Sequence, residues 1–330
     1  MKKLYQIYIT VLIAGILTSI TFGQNKIAQT GFNFLEVSSD ARSSGMADAV
    51  NSLSGYPGAL SYNPASMADM PTFMNATFSV NQWIADINYL AASVIVSPFD
   101  GDYGVIGISF QSVDYGDVEG TINNPYDASG YTETGIISPS AFSFGVGYAK
   151  MLNDNFGVGG QVRFSSQKLG SSYVPTETGA TLKENKATAL SYDFGTVFKT
   201  GIKSLAFGMS VRNFSKEIKF ESEGFQLPLI FTIGISANLF DFFEVPGPEQ
   251  SLLLSLDSTH PRSHPEQVKI GLEYTFMKMF SLRGGYISGN DENDVCFGVG
   301  VTQFGVELDY AYTPFGVFDN VQRFTARISL

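Results

Sequence analysis

Residues 268–276 read VKIGLEYTF, a stretch in which apolar and polar side chains alternate without a break. Residues 323–330 read RFTARISL and repeat this alternation up to the last residue of the sequence. Because successive side chains of a β-strand point to opposite faces, each stretch predicts a strand with one apolar and one charged face. Soluble sheets contain such strands too. The fold class therefore depends on how many such runs exist and on what separates them.

Fourteen alternating runs, each bounded by turn signals, follow one another after Pro71. Long connections tend to follow the odd-numbered runs, and short connections mostly follow the even-numbered runs. Residues 241–249 are the exception. This asymmetry is typical of an outer-membrane barrel with both barrel termini in the periplasm, so the sequence predicts an all-β fold, a transmembrane antiparallel β-barrel of fourteen strands. The predicted runs are 72–83, 86–98, 102–115, 137–150, 154–168, 187–200, 204–216, 226–240, 250–259, 266–277, 279–288, 293–303, 304–313 and 319–330.

The composition agrees with a barrel. The chain contains 34 Gly, 28 Phe and 16 Tyr, and only 15% of its residues are charged; aromatic residues form girdles at both membrane interfaces of such barrels. The net charge of −11 argues against nucleic acid as a partner. A single cysteine, Cys296, excludes an internal disulfide framework.

The first 23 residues have the pattern of a cleavable signal peptide. Lys2 and Lys3 precede an apolar stretch that runs roughly from Leu4 to Ile20, and small residues stand at Thr21 and Gly23. The alternative is an N-terminal membrane anchor. With cleavage after Gly23, the predicted organisation is a signal peptide (1–23), an N-terminal segment (24–71) and an outer-membrane barrel (72–330).

Charged residues in the predicted strands share the face opposite the apolar residues. A Lys or Arg on the lipid face near the midplane would cost about 2–4 kcal/mol. We therefore expect these residues to point into the lumen, where both signs of charge can form ion pairs. They are Arg163, Arg212, Lys269, Glu273, Arg283, Glu307, Asp309, Arg323 and Arg327.

The segment 24–71 lacks long alternation and predicts a compact structure outside the barrel wall. Residues 40–51 predict a short helix with Asp40 at its N-cap. Asn63 and Pro64 predict a rigid turn, because proline fixes its own φ and keeps the preceding residue extended.

Several stretches together resemble the PorV/PorQ group of outer-membrane proteins, which is related to the FadL long-chain fatty-acid transporters. The similarity covers essentially the whole chain after the signal peptide. The stretches that carry it are 31–35 (GFNFL), 40–46 (DARSSGM), 62–68 (YNPASMA), 85–89 (ADINY), 264–274 (HPEQVKIGLEY), 283–286 (RGGY), 313–318 (TPFGVF) and 322–324 (QRF).

The resemblance implies a fourteen-stranded barrel whose N-terminal segment folds inside the lumen as a plug. It places Asn63, Pro64 and Ala65 in that plug; the alternative is an ordinary exposed turn. Asp40 and Arg42 either hold the plug to lumen charges or form the solvated face of a helix.

Two functions follow, and they belong to different classes. PorV-type relatives act in type IX secretion, so this chain would be a shuttle that binds translocon subunits and secreted cargo with C-terminal signal domains. Outer loops 116–136, 169–186 and 217–225 would make the contacts, with Tyr126, Tyr131 and Tyr173 as candidates. The alternative is a FadL-like transporter that binds a hydrophobic small molecule between plug and wall and releases it where a strand kinks. A structural barrel with a sealed lumen is a third possibility.

No motif predicts an enzyme, a cofactor or a metal site. The two histidines, His260 and His264, are four residues apart. Pro261 and Pro265 exclude the regular helix that would bring them together, so an outer turn is the simpler interpretation. The partners expected are outer-membrane lipid and either proteins or a hydrophobic ligand.

Overall fold

The computed structural model describes residues 30–55, 57–176, 179–220, 223–243, 249–289, 294–318 and 320–330. Within these ranges, the side chains of residues 57, 59, 173–180, 220 and 223 are not described. The predicted signal peptide, residues 1–23, lies outside the described residues.

Eighteen strands occur in these ranges. They are β1 (Met74–Gln82), β2 (Asn88–Val96), β3 (Val105–Asp114), β4 (Val118–Asn123), β5 (Tyr131–Ile137), β6 (Ser140–Asn153), β7 (Phe156–Thr176), β8 (Gly179–Lys199), β9 (Ala206–Ser215), β10 (Ile218–Phe220), β11 (Glu223–Phe225), β12 (Ile230–Asn238), β13 (Ser251–Pro261), β14 (Gln267–Phe276), β15 (Phe280–Ser288), β16 (Val295–Gln303), β17 (Val306–Thr313) and β18 (Val321–Ser329).

Fourteen of these strands close into one barrel, in the order β1-β18-β17-β16-β15-β14-β13-β12-β9-β8-β7-β6-β3-β2. The pairing of β1 with β18 is antiparallel and brings Asn75 opposite Ser329, so the two ends of the sheet meet and leave no free edge. The predicted fourteen-stranded antiparallel barrel is confirmed. Both barrel termini lie at the same end, which we call the inner end; the opposite end is the outer end.

In the barrel wall, apolar side chains that face outward alternate with side chains that face the lumen, as contact with lipid requires. In β17, Val306 and Leu308 are exposed on the outside, while Asp309 is buried inside. A closed ladder satisfies its backbone groups internally, which hydrocarbon requires. An apolar band on a closed antiparallel barrel identifies an integral outer-membrane protein. In the described part of the chain, no helix is long and apolar enough to cross a membrane.

Three predicted outer loops are β-hairpins. Strands β4 and β5 form a separate hairpin over 118–137, which includes most of the predicted loop 116–136, and β10 with β11 forms another within 217–225. Strands β7 and β8 continue to Thr176 and from Gly179, far past the predicted ends at 168 and 187. Alternation fails to reveal these extensions because water surrounds both faces of a strand above the membrane.

The segment between Thr30 and Pro71, hereafter the plug, fills the lumen. It contains helix α1 (Ala41–Gly45) and 3₁₀ turns at Asn33–Leu35, Pro57–Ser61 and Pro64–Asp69. Asp40 caps α1 by accepting a hydrogen bond from the Ser43 N–H at 2.9 Å. The helix is shorter than the predicted 40–51, because Ala47 and Asp48 take positive φ values of 57° and 58°. The remaining 3₁₀ turns, Ile84–Asp86, Pro98–Gly101 and Leu239–Asp241, connect barrel strands.

The plug runs through the barrel from the outer end to the inner end. Near the outer end, Phe34 and Leu35 pack in one apolar cluster with Tyr89 and Val113. Near the inner end, Leu60 packs in a second cluster that includes Ile95 and Val105. Between the two clusters, polar and charged side chains dominate the contacts between plug and wall.

Candidate functional site

An aromatic recess lies at the outer end, between the start of the plug and the surrounding turns. Its volume is about 530 Å³. The recess has six aromatic residues, drawn from the plug, the β1–β2 turn, the outer part of the wall and the β10–β11 hairpin: Phe32, Phe34, Trp83, Tyr89, Tyr115 and Phe225.

Ring-to-ring contacts organise the recess. The Phe32 ring stacks on Phe225 with 6.1 Å between centroids and lies 5.9 Å from Phe34. On the opposite side, the Trp83 ring meets Tyr89 edge-on at 6.2 Å and Phe315 at 4.9 Å. Such offset and edge-on pairs stabilise aromatic clusters beyond the area that they bury.

Local backbone features place these rings. Phe32 has a φ of 62°, which turns the chain sharply before the 3₁₀ turn that carries Phe34. Gly31 stands where a Cβ atom would overlap the Phe225 ring, so only glycine allows that ring to approach.

The polar groups of the recess are few and neutral. Gln167 donates a hydrogen bond to the Tyr115 hydroxyl at 3.3 Å. Burial raises the pKa of Tyr115 above its ordinary value, so the phenol stays uncharged at neutral pH. The nearby Arg323 guanidinium lies 5.2 Å from the Trp83 ring centre and donates to Ser38 O and Thr313 Oγ1. A mostly apolar pocket with a few fixed polar groups suits a neutral hydrophobic ligand.

Below the recess, an ion-pair network joins the start of the plug helix to strands β14, β15, β17 and β18. Arg283 lies at its centre and contacts the carboxylates of Glu273, Glu307 and Asp309. Arg42 of the plug donates to both oxygens of Glu273, at 2.9 Å and 2.7 Å. These contacts fix one side of the plug to the wall.

A second link from the plug to the same network runs through Asp40. Arg327 contacts Asp40 at 3.3 Å and also pairs with Glu307. Asp40 and Arg42 therefore face lumen charges, and neither forms a solvated helix face.

Asn63 and its neighbours fix the other side of the plug. The Asn63 side chain is buried; its Nδ2 donates to Asn51 O at 2.7 Å and to Thr196 O of β8 at 3.1 Å. Its Oδ1 accepts from the Ala65 N–H at 3.0 Å, and Pro64 begins the 3₁₀ turn. This segment is packed against the wall and is not an exposed turn.

A bulge interrupts the wall between β8 and β9, in the outer half of β9. The register shifts between Tyr192 and Phe194, and Asn213 takes a φ of 60°. Asp193, fully buried inside, accepts hydrogen bonds from the Asn213 N–H at 2.7 Å and from Arg163. Because this cluster is charged, it is a poor exit for an apolar molecule. Between β1, β2, β3 and β6 the register is unbroken.

The remaining predicted residues lie apart from the recess. Arg212 contacts Ser61 O and the Tyr62 ring, and Lys269 lines a small cavity beside Asp257. Tyr126 and Tyr131 are exposed on the β4–β5 hairpin. The side chain of Tyr173 lies outside the described part of the structure.

The two histidines each face a glutamate near the outer end. His260 lies 3.0 Å from Glu266, and His264 lies 3.4 Å from Glu36 of the plug. Over the residues with described positions, no group of three or more His, Cys, Asp or Glu could hold a metal ion.

Sequence reasoning missed the recess. Its members come from positions near 32, 83, 115 and 225, which only the closed barrel brings together. The available signal was the aromatic residues at the outer ends of predicted strands, such as Trp83 and Tyr115. Asp193 was not among the predicted lumen charges, although it shares the parity of the polar face of β8.

No protein-family model and no curated protein sequence matches the chain. Solved structures do match. The Ralstonia pickettii toluene transporter TbuX has a TM-score of 0.56 and 11% identity, over 90% of this chain and 99% of that one. The CymD monoaromatic hydrocarbon channel has a TM-score of 0.60 and 12% identity, over 89% and 98%. A Pseudomonas aeruginosa FadL homologue has a TM-score of 0.55 and 12% identity, over 88% and 98%.

The chain has the FadL-type barrel fold. At 11–12% identity the likeness shows the fold alone. It confirms the FadL part of the resemblance found in the sequence at the level of architecture. The PorV/PorQ part stays a prediction.

Proposed function

We propose that this protein carries small hydrophobic molecules across the outer membrane and that the aromatic recess is where they first bind. The recess carries this proposal, because it is an aromatic pocket at the outer end with few, neutral polar groups. The FadL-type fold supports it: the matched structures include a toluene transporter and a monoaromatic hydrocarbon channel.

Passage beyond the recess requires a change in the plug. Below the recess, polar side chains of the plug and the wall contact each other across the lumen. An apolar molecule would separate these polar groups from their partners, which costs free energy. The wall formed by β1, β2, β3 and β6 has an unbroken register, so no side exit is open there. The proposed route therefore begins at the recess and proceeds when the plug moves.

Ligand binding can be followed by the fluorescence of Trp83, because the chain contains a single tryptophan and it lies in the recess. We expect toluene, titrated into protein in lipid nanodiscs, to change Trp83 emission in a saturable way. Phe225→Ala should weaken binding about tenfold, since it removes one aromatic wall of the recess.

Phe304→Ala is the matched control, because Phe304 is a fully exposed phenylalanine in an inner turn. Its affinity for toluene should equal that of the unaltered protein. The proposal is wrong if toluene gives no saturable change, or if Phe225→Ala and Phe304→Ala bind it equally well.

We infer a second candidate function, a PorV/PorQ-type role in type IX secretion, from the outer hairpins. A groove of about 610 Å³ separates the β4–β5 hairpin from the extension of β7 and β8. Ile136 and Leu182 line it and are 71% and 59% exposed. Apolar side chains exposed above the membrane favour a protein partner.

Changing both groove residues in Ile136→Ser/Leu182→Ser should reduce secretion of cargo with a C-terminal signal domain at least tenfold, if this second function holds. Val317→Ser is the control, because Val317 is an exposed apolar residue in a different outer loop. Secretion would be measured in the native host by the amount of cargo on the cell surface. Unchanged secretion in a strain that also lacks residues 116–136 would exclude cargo docking at these hairpins.

A further inference from the structure

The wall side of the aromatic recess carries three polar side chains that lie together. Tyr89 of β2 lies opposite Val113 of β3. Val113 lies opposite Ala141 of β6, which lies opposite Gln167 of β7, so these four residues form one row across the wall. Tyr115 follows two residues after Val113, and its hydroxyl accepts a hydrogen bond from Gln167 at 3.3 Å. Tyr89, Tyr115 and Gln167 therefore face the recess from one stretch of the lumen wall.

The two tyrosine hydroxyl groups carry hydrogens that no described residue accepts. Tyr89 is 4% exposed, and its hydroxyl has no hydrogen-bond partner among the described residues. The hydroxyl oxygen is not sealed in the protein interior, so it borders the open recess. The Tyr115 hydroxyl accepts from Gln167 but donates to no described residue. The two phenol groups interact electrostatically, yet no hydrogen bond joins them, so two O–H donors are available in one part of the recess.

The remaining lining determines which molecule suits these donors. The rings of Phe32, Phe225 and Trp83 enclose an apolar space, and none of the described residues that line the recess is charged. Arg323, beside Trp83, is held by other hydrogen bonds. An ionised carboxylate would lose its water there without gaining a partner charge. A neutral oxygen acceptor on an aromatic body fits both the rings and the donors.

We infer that the recess selects neutral aromatic molecules that carry a carbonyl oxygen, and that the hydroxyl groups of Tyr89 and Tyr115 donate to that oxygen. A carbonyl oxygen has two lone pairs, so it can accept both hydrogen bonds. A pure hydrocarbon fills the same space but leaves both donors without a partner. The inference rests on the proposed function, because it assigns the ligand class of the same recess.

Two ligands of nearly identical shape test the inference. Acetophenone carries a carbonyl oxygen where α-methylstyrene carries a methylene group. The dissociation constants of both are measured by isothermal titration calorimetry with the purified protein in lipid nanodiscs, and protein-free nanodiscs account for partition into lipid. The constant for α-methylstyrene divided by the constant for acetophenone measures the preference for the carbonyl.

Removing the hydroxyl groups should reduce this preference. Tyr89→Phe deletes a hydroxyl that contacts no described residue, so the fold is kept and the ratio should fall about fivefold. The double variant Tyr89→Phe/Tyr115→Phe should lower the ratio at least tenfold, since two hydrogen bonds to the ligand are lost. Both variants should bind α-methylstyrene as the unaltered protein does. Tyr126→Phe is the matched control, because Tyr126 is almost fully exposed at the tip of the β4–β5 hairpin, and its ratio should not change.

The outcomes separate this inference from the proposed function. If both ligands bind but the ratio is the same in the unaltered protein and in the two variants, only water meets the hydroxyl groups; the inference is then wrong and the proposed function stands. If neither ligand binds, the proposed function fails and the inference fails with it. Benzoate, which carries a charged carboxylate on the same ring, should bind about tenfold more weakly than acetophenone. Equal binding of benzoate and acetophenone would contradict the selection of a neutral carbonyl.

Discussion

Replacing Arg283 with methionine will destabilise the folded barrel by about 3–5 kcal/mol, the cost of removing one member of a buried ion-pair network. The Arg283 side chain is almost fully buried and contacts three carboxylates. Glu273 keeps Arg42 as a partner, and Glu307 keeps Arg327. Asp309 is left with Arg327 alone, at 3.7 Å. The effect can be measured by urea unfolding of the protein in lipid vesicles, followed by Trp83 fluorescence.

A double variant separates the loss of charge pairing from the loss of packing. Adding Asp309→Asn to Arg283→Met neutralises the carboxylate that has lost its close ion-pair partner, so the double variant should recover part of the lost stability. Arg262→Met is the matched control, because it makes the same change at an exposed position. If Arg283→Met and Arg262→Met unfold at the same urea concentration, the network does not stabilise the barrel.

The barrel wall could be predicted because lipid imposes a strict alternation on each strand. The same alternation placed the charged residues in the lumen but did not pair them. Pairing needs the register between strands: Glu273 lies opposite Arg283, and Glu307 lies opposite Arg327. A short turn, 277–279, joins β14 to β15 and determines the first register, so the sequence contained that pairing in a form that alternation alone does not reveal. A longer outer connection joins β17 to β18, so turn length does not determine the second register.

The plug and the outer hairpins could not be predicted in the same way. Residues 30–71 have no repeating pattern, because each contacts a different part of the wall. Asn63, for example, is placed by Asn51 within the plug and by Thr196 on β8. The hairpins above the membrane have water on both faces, so their sequences lack alternation. The aromatic recess combines side chains of both regions with side chains of the wall, and only the closed barrel brings them together.

Replacing Gly195 with alanine will release one side of the plug. Gly195 lies on β8 against Asn63, and a Cβ atom at this position would overlap the Asn63 Oδ1 atom. Asn63 must then leave its site, which leaves the carbonyl groups of Asn51 and Thr196 without this donor. Each buried polar group that loses its partner costs about 1–3 kcal/mol. The ion pairs of Asp40 and Arg42 are untouched, so the other side of the plug stays attached.

The expected result is a barrel that folds but lets ions pass through its lumen. A loss of 1.4 kcal/mol changes an equilibrium tenfold, so the open fraction of the lumen should rise at least tenfold. Ion conductance across planar bilayers measures this directly. Gly284→Ala is the matched control, since a Cβ atom there has nothing within 4 Å, and it should conduct like the unaltered protein. Asn63→Ala should leak without any added bulk, because the same hydrogen bonds are lost. If Asn63→Ala and Gly195→Ala both stay closed, Asn63 does not hold the plug, and the ion pairs on the opposite side suffice to keep the lumen filled.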